Sequence, residues 1–291
     1  MRKVFTLVAV LLSLYLKSYS QEVDSLALMY AEIESSLNYQ KGVIELEAGN
    51  AILHVPEGFG FLDKEQSKYV LTDLWGNPED ETVIGLLVPD KKGVLNSDSW
   101  VYSISYDEVG YIEDDDAEDI DYDELLEEQQ SELKAANPER EKLGYQAIEL
   151  VSWASDPFYD KNKKILHWAK ELNFKGDSLN TLNYNLRVLG RKGMFMINAI
   201  ASMSEMPEVN ASINPVINSV EFKEGSKYAD FNPEIDKVAS WTIGGLVAGK
   251  ILAKVGFFAV LAKFWKLILL GIASVGGGLW KMITGKKEEE V

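Results

Sequence analysis

Three aspartates at alternate positions are the residues whose spacing most resembles a metal site. Asp119, Asp121 and Asp123 lie within the acidic stretch 113–128. Alternating carboxylates occur in calcium loops, but an EF-hand loop also needs Gly at its sixth position and a bidentate Glu at its twelfth. The sixth position counted from Asp119 is Glu124, so the pattern fails. We therefore expect a solvated acidic loop, with these three aspartates as weak metal candidates, and we predict no cofactor.

Two arginines are candidates for contact with an anion. Arg187 and Arg191 lie four residues apart in the segment NYNLRVLGRKG, at 183–193. A guanidinium group presents a planar fork of donors that matches a carboxylate or a phosphate. The two histidines, His54 and His167, have no Cys or second His at a spacing that suits zinc. We therefore predict an anion contact at the arginines and interpret both histidines as structural.

Sequence motifs of the common enzyme classes are missing. No nucleophile elbow, Walker loop or dinucleotide-binding pattern occurs; Gly58 and Gly60 match two glycines of the last, but Asp63 stands at the third position. A catalytic pair of carboxylates has no sequence signature, so the many acidic residues leave that chemistry open. The sequence therefore does not define a reaction.

Alternating apolar and polar residues predict the strands that would position these side chains. Within 181–189, Leu182, Tyr184, Leu186 and Val188 alternate with polar residues, among them Arg187. A period of two is typical of a half-buried strand. The other predicted strands are 43–47, 51–55, 82–88, 98–106, 145–152, 164–172 and 194–201.

Helices are predicted at fewer places. Asp121 would cap a helix that runs to about residue 136, and Asn214 would cap a second helix, with Pro215 at its first position. Residues 23–38 and 63–74 are two more candidates. Strands without a regular alternation with helices favour an α+β fold. We expect a mostly antiparallel sheet flanked by a few helices, plus a C-terminal membrane helix.

The charge of the chain is strongly negative. Its 46 Asp and Glu outnumber 29 Lys and Arg, and all but three of the acidic residues lie within 22–240. Such a domain repels nucleic acid, so we expect no nucleic-acid partner. The chain has no Cys, which excludes both a lipoprotein anchor and stabilisation by disulfides.

The N-terminus predicts a signal peptide over residues 1–20. Arg2 and Lys3 precede an apolar run of about 13 residues, which is too short to span a bilayer. Ser18 and Ser20 supply small residues before a cleavage site. An uncleaved N-terminal anchor is the alternative.

The C-terminus, 241–291, predicts a membrane anchor with a short charged tail. Apolar residues predominate, seven Lys occur, and no acidic residue precedes Glu288. A single span from about residue 257 to 280 would place Trp and Lys at the interfaces. The anchor residues are Trp265, Lys266, Leu267, Trp280 and Lys281. There are two alternatives to the single span. One is a helical hairpin that turns near 263–266, and the other is a helix lying on the membrane surface.

These two ends predict the organisation of the whole chain. An exported acidic domain, 21–222, would be joined by a linker, 223–240, to the anchor. The predicted location is the bacterial inner membrane, with the main domain in the periplasm. Gly276–Gly278 are small residues of the kind found where membrane helices pack together, so a homo-oligomer through this helix is one predicted partner.

Several short segments together resemble a known family. They are VPEGFGFL, LWGNP, DEVGYIEDDDAEDID, LHWAKEL, NYNLRVLGRKG and YADFNPEIDKVA. In their order and spacing the chain resembles the bacterial family of predicted membrane-anchored proteins called domain-of-unknown-function family 2167. The resemblance implies export and an anchor, and it supplies no reaction and no site residues. More loosely, the chain is similar to Mog1- and PsbP-type α/β/α sandwiches, and fold analogy gives no function.

Three functions are compatible with these observations. The leading interpretation is a non-enzymatic binding or scaffolding module of the cell envelope, with the membrane and an envelope protein as partners. A membrane-tethered hydrolase that uses carboxylates is the second. A membrane-stress factor that acts through its C-terminal helix is the third.

Overall fold

The computed structural model describes residues 28–77, 79–96, 98–118 and 120–249. The predicted signal peptide, Asp119 and the predicted span 257–280 lie outside the described residues, and so do the anchor residues Trp265, Lys266, Leu267, Trp280 and Lys281. Within the described ranges, no helix combines the length and the apolar character that a membrane crossing requires.

The described residues divide between two units, 28–38 and 39–249. In the first, residues 28–36 form a helix, α1, within the predicted range 23–38. All elements described below belong to the second unit.

A seven-stranded antiparallel sheet is the centre of the second unit. Its strands follow the order β3-β4-β5-β9-β8-β7-β6. They are β3 Phe59–Leu62, β4 Val83–Pro89, β5 Val101–Asp107, β6 Ile148–Asp160, β7 Ile165–Phe174, β8 Thr181–Leu189 and β9 Met194–Ser202. The α+β class and the mostly antiparallel sheet predicted from the sequence are confirmed. The alternation did not predict β3, where all four residues are buried.

A second layer covers one face of this sheet. It contains a three-stranded antiparallel sheet with the order β1-β2-β10 and an amphipathic helix. Its strands are β1 Val43–Leu46, β2 Ala51–His54 and β10 Val220–Phe222. The helices of the second unit are α2 Lys64–Lys68, α3 Tyr122–Lys142, α4 Met206–Ile217 and α5 Ile243–Ala248. Val209 and Val216 of α4 are fully buried in the larger core cluster, together with Leu53 of β2.

Helix α3 and the chain's described C-terminal end cover the opposite face. Leu126 and Leu133 of α3 pack against a small cluster that includes Leu150 and Leu172. Trp241, Ile243, Leu246 and Val247 are buried against strands β7–β9. We call residues 241–249 the covering segment. The sheet therefore lies between two layers, and the predicted boundary of the anchor, residue 241, falls where this packed segment begins.

Two predicted helix ends are wrong. Helix α4 begins at Met206, with Pro207 in its first turn, and Pro215 lies inside it. The Asn-Pro pair resembles a helix start, but the apolar spacing of Val209, Ile213 and Val216 extends across it and is buried as one face. Helix α3 likewise continues past residue 136 to Lys142, and Pro138 lies inside it.

Residues 223–240, which were expected to be a linker, contact other parts of the second unit at several points. Tyr228 is buried, and its hydroxyl donates to the Ile112 carbonyl oxygen at 2.8 Å. Tyr111 pairs with Val238 in a parallel bridge. These contacts hold the covering segment's N-terminal side against the sheet.

Candidate functional site

Polar side chains cluster on the sheet face that α3 and the covering segment cover. The register pairs Asn185 of β8 with Asn198 of β9, and Asn198 with Ser103 of β5. Lys170 of β7 pairs with Asn183. Cross-strand neighbours on one face lie about 5 Å apart, so the register alone brings these groups into one patch. We call this patch the polar floor.

Arg187 extends the polar floor and is 6% exposed. Its Nη1 donates to the Leu186 carbonyl oxygen and to Asn198 Oδ1, both at 2.8 Å, and its guanidinium lies 5.1 Å from the centre of the Trp168 ring. Burial lowers the pKa of Arg187 to about 9, so it is charged at neutral pH. Its acceptors in the described part of the chain, which also include Asn185 Oδ1, are neutral oxygens.

Lys170 places a second cation in the same patch. Its Nζ donates to Gln129 Oε1 of α3 and lies 5.7 Å from the Trp153 ring. Burial, and then the neighbouring charge of Arg187, lower the pKa of Lys170 to about 8, while the charge of Glu132 acts in the opposite direction. Among the described residues, the hydrogen bonds of Lys170 and Arg187 go to amide and carbonyl oxygens, and neither forms an ion pair with a carboxylate. Arg187 is buried and Lys170 is half-buried, and two like charges so placed without such a partner are costly for a protein to keep.

Two further donors at this place lack an acceptor. Gln129 Nε2 and Trp168 Nε1 are buried, and neither makes a hydrogen bond within the described part of the chain. Gln129 is 8% and Trp168 3% exposed. Nearly all buried polar groups in native proteins are hydrogen-bonded, and an orphaned donor costs about 1–3 kcal/mol. Orphaned donors beside two cations therefore suggest that an acceptor from outside the chain completes the site.

These groups line one cavity of about 190 Å³ between the sheet, α3 and the covering segment. The polar floor supplies donors from the sheet, α3 adds Gln129, and Glu132 is the one acidic residue among those described that line the cavity. The other lining residues are mostly apolar and come from the sheet, α3 and the covering segment. They comprise Leu133, Ala136, Leu150, Leu172, Met194, Met196, Ile200, Trp241, Leu246, Val247 and Ala248.

Arg191, the other predicted anion contact, lies elsewhere. Its Nε and Nη2 donate to the two carboxylate oxygens of Asp236, at 2.7 and 3.1 Å, and its Nη1 donates to the Gly225 carbonyl oxygen. Asp236 is 3% exposed in its side chain. This forked pair holds residues 225–236 against the turn after β8, so the structure does not bring the two arginines together.

The acidic stretch 113–128 contributes internal contacts. Asp114 accepts hydrogen bonds from Tyr159, Lys164 and Tyr228. Asp116 accepts from the backbone amides of Ile243 and Gly244, at 3.0 and 2.9 Å. Its carboxylate therefore fastens the first turn of α5, so part of this stretch holds the cavity's roof.

The predicted metal candidates are spread along the start of α3. Asp121 caps the helix, since its Oδ1 accepts from the amides of Asp123 and Glu124 at 3.1 and 3.0 Å. Asp123 lies in the exposed first turn, and Asp119 is outside the described residues. Within the described ranges, no three His, Asp or Glu are grouped to hold a metal ion.

Both histidines lie away from the polar floor. His167 Nδ1 is 3.1 Å from the Tyr184 hydroxyl, and burial lowers its pKa. His54 lies 3.7 Å from an exposed Glu221 carboxylate. Neither residue lines the cavity.

The sequence did not predict Lys170, Gln129, Trp168 or Asn198 as site residues. One signal was present: in 165–174, Leu166, Trp168, Lys170 and Leu172 share a strand face, so a lysine stands on an otherwise apolar stripe. Gln129 had no such signal because it comes from a distant helix.

Residues 38–276 match the family model described as protein of unknown function (DUF2167). The chain is a member of that family. No curated protein sequence matches it.

Three solved structures show the loose fold similarity expected from the sequence. Cyanobacterial PsbP (CyanoP) from Synechocystis sp. PCC 6803 is 10% identical, with 62% of this chain and 91% of that chain covered and a TM-score of 0.38. LpqN, involved in cell envelope biogenesis of Mycobacterium tuberculosis, is 12% identical, with 65% and 94% covered and a TM-score of 0.32. The Saccharomyces cerevisiae Ran-binding protein Mog1p is 10% identical, with 63% and 96% covered and a TM-score of 0.32. Similarities at this level support no functional argument.

Proposed function

We propose that this protein is a non-enzymatic binding module of the cell envelope that holds an acidic group of its ligand in the cavity. The observation that carries the proposal is the set of unfulfilled donors on one floor. Arg187 and Lys170 have no carboxylate partner among the described residues, and Gln129 Nε2 and Trp168 Nε1 have no acceptor there. A carboxylate or phosphate would supply negative charge and several acceptor oxygens at once.

The donor chemistry of the floor favours binding over carboxylate catalysis. A hydrolase of the kind considered from the sequence needs two carboxylates in one cleft, one of them able to act as acid or base. The described lining of the cavity has Glu132 alone, opposite two cations. Such a site can hold and orient an anion.

The proposed setting is the outer face of the bacterial inner membrane. The sequence of residues 1–20 supports export, and the apolar, lysine-bearing sequence after residue 249 supports an anchor. An envelope protein and a second copy of the chain remain proposed partners. Cell fractionation with protease treatment of spheroplasts tests this: the acidic domain should be cut and the tail protected, and a tail cut from outside would exclude a single span.

Calorimetric titration with acetate, phosphate and sulfate tests the binding proposal. We expect at least one of these anions to bind the intact protein and raise its melting temperature. Lys170→Gln should weaken that binding by at least tenfold, because one of two cations is lost. Lys134→Gln, on the exposed side of α3, makes the same change of charge and should bind like the unaltered protein. Equal weakening in both variants would show a general charge effect and overturn the proposal.

A further inference from the structure

We propose that the ligand is an amphiphilic acid, with its acidic group on the polar floor and an apolar chain between α3 and the covering segment. This inference rests on the proposed function and specifies the other half of the ligand. It follows from the lining of the cavity, which combines the donors of the polar floor with a larger set of apolar side chains.

The walls give the ligand its apolar part. Leu133, Leu150 and Leu172 close the cavity on one side, and Met194, Met196 and Leu246 line it on another. A small inorganic anion would satisfy the floor and leave these surfaces facing an unfilled space. An apolar chain attached to the acidic group would fill that space and remove the surfaces from water. The flexible methionine side chains can adapt to such a chain.

The volume sets the length that can be enclosed. A cavity of about 150 Å³ in another protein holds a six-carbon ring, and this one measures about 190 Å³. It therefore has room for an acidic group with roughly five carbons. A longer chain would extend beyond the enclosed space.

The position of the roof favours an amphiphile over a ligand that is polar throughout. Ala248 and Gly249, the last residues of the covering segment, line the cavity. Trp241, Leu246 and Val247 of the same segment also line it, so the covering segment presents apolar side chains to whatever occupies the cavity.

A homologous series of acids tests the inference on the full chain in nanodiscs of zwitterionic lipid, with empty nanodiscs as the blank. We expect hexanoate to bind more tightly than acetate, by about fourfold for each added methylene. Butanoate should fall between them. Hexan-1-ol, which has the same chain without the charge, should bind at least tenfold more weakly than hexanoate.

Matched variants separate the two halves of the site. Lys170→Gln should weaken the binding of hexanoate by at least tenfold and leave the affinity for hexan-1-ol unchanged. Leu133→Ser, in the apolar wall, should weaken the binding of hexanoate and leave the affinity for acetate unchanged. Leu133→Met, which keeps an apolar side chain, should restore the affinity for hexanoate.

The outcomes distinguish this inference from the proposed function. If acetate binds as tightly as hexanoate, the inference of an amphiphilic ligand is wrong, and the proposed anion site is still supported. Hexan-1-ol binding as tightly as hexanoate would overturn both, since the cations would then contribute nothing. The absence of binding by any acid would also overturn both.

Discussion

Lys170 is a residue at which binding and stability make opposite demands. Burial, and then the charge of Arg187, lower the pKa of its ammonium group to about 8 from an ordinary 10.5. We predict that Lys170→Gln raises the melting temperature of the ligand-free protein by a few degrees, because a buried charge is removed and an amide can still donate to Gln129. The same variant should lose the acidic ligand. A residue with only a structural role would lower the melting temperature when replaced.

The difference in melting temperature between Lys170→Gln and the unaltered protein should depend on pH in a defined direction. Because the pKa of Lys170 is lowered in the folded state, its charge destabilises the fold, and this penalty is fully present below about pH 8. The penalty then fades as pH rises towards 10.5, where the unfolded chain also loses the proton. We therefore expect the melting temperatures of Lys170→Gln and the unaltered protein to differ most near pH 7 and to converge above pH 8. A constant gap across this range would contradict the assigned titration.

Asp114 has the opposite role, since its charge supports the fold. Burial would raise its pKa, but hydrogen bonds from Lys164 and Tyr159 outweigh burial and hold the pKa below its ordinary value. Asp114→Asn should destabilise the protein by about 2 kcal/mol at pH 7, because Lys164 loses its partner. A carboxyl with a lowered pKa stabilises above its unfolded pKa, so the loss should shrink below about pH 4. Chemical denaturation measures both effects.

The neighbouring Asp115 provides the control for that experiment. It is exposed, and Asp115→Asn changes the net charge by the same amount. We expect it to alter the free energy of unfolding by less than about 0.5 kcal/mol. A similar loss in both variants would mean that net charge, and not the contacts of Asp114, sets the stability.

Residue types allowed part of the site to be predicted. Arg187 was identified because a guanidinium on an alternating strand is conspicuous, and it lies on the cavity floor. Arg191 has the same chemistry, but it pairs with Asp236, a buried carboxylate 45 positions later in the chain. Which arginine is paired internally depends on contacts between distant segments. The spacing of residues within one segment cannot show this.

At the scale of elements, the covering segment depends on one carboxylate. Asp116 accepts from the amides of Ile243 and Gly244, and Thr242 Oγ1 accepts from the amide of Gly245 at 3.2 Å. We predict that Asp116→Asn weakens this turn by about 1–2 kcal/mol, as the loss of a charged helix cap does. Hydrogen exchange at the amides of 243 and 244 should accelerate by about tenfold. Unchanged exchange, with Asp115→Asn measured alongside, would exclude the proposed fastening.

Single elements show where local sequence rules succeed and fail. Strand β8 follows alternation and β9 is a continuous apolar run, and both were predicted closely. Their turn requires Gly193, since a Cβ there would lie 2.0 Å from the Asp107 carbonyl oxygen. The start of α4 was misplaced because Pro215 was taken as a first-turn residue. Burial of the whole apolar face of α4 outweighs the cost of a proline inside it.

For the whole molecule, the strand pattern predicted the sheet, and the pairing of distant segments determined what covers it. Both layers include parts remote in sequence from the strands they contact. The first nine residues of the predicted anchor form part of one layer. Their apolar composition suits a membrane and a protein core equally well, so composition alone could not separate the two.

Two truncated chains test where the folded unit ends. Both begin at Gln21; one ends at Ser240 and the other at Gly249. The shorter chain lacks Trp241, Ile243, Leu246 and Val247, which are 8%, 0%, 6% and 1% exposed. Burial of such side chains contributes about 1.5–3 kcal/mol each, and a whole domain is stable by only about 5–15 kcal/mol. We therefore predict that the shorter chain does not unfold cooperatively, and that the longer one does.

Binding measurements on the same pair add the cavity to this test. The longer chain keeps the roof, so it should bind hexanoate with the affinity of the full chain. Circular dichroism and calorimetry follow the unfolding, and titration follows the ligand. If the chain that ends at Ser240 melts within about 2 °C of the longer one, the covering segment contributes little to the stability of the core, and if that chain also binds hexanoate as tightly, the roof of the cavity has been assigned incorrectly. If both chains fold and only the longer one binds, residues 241–249 serve the ligand alone.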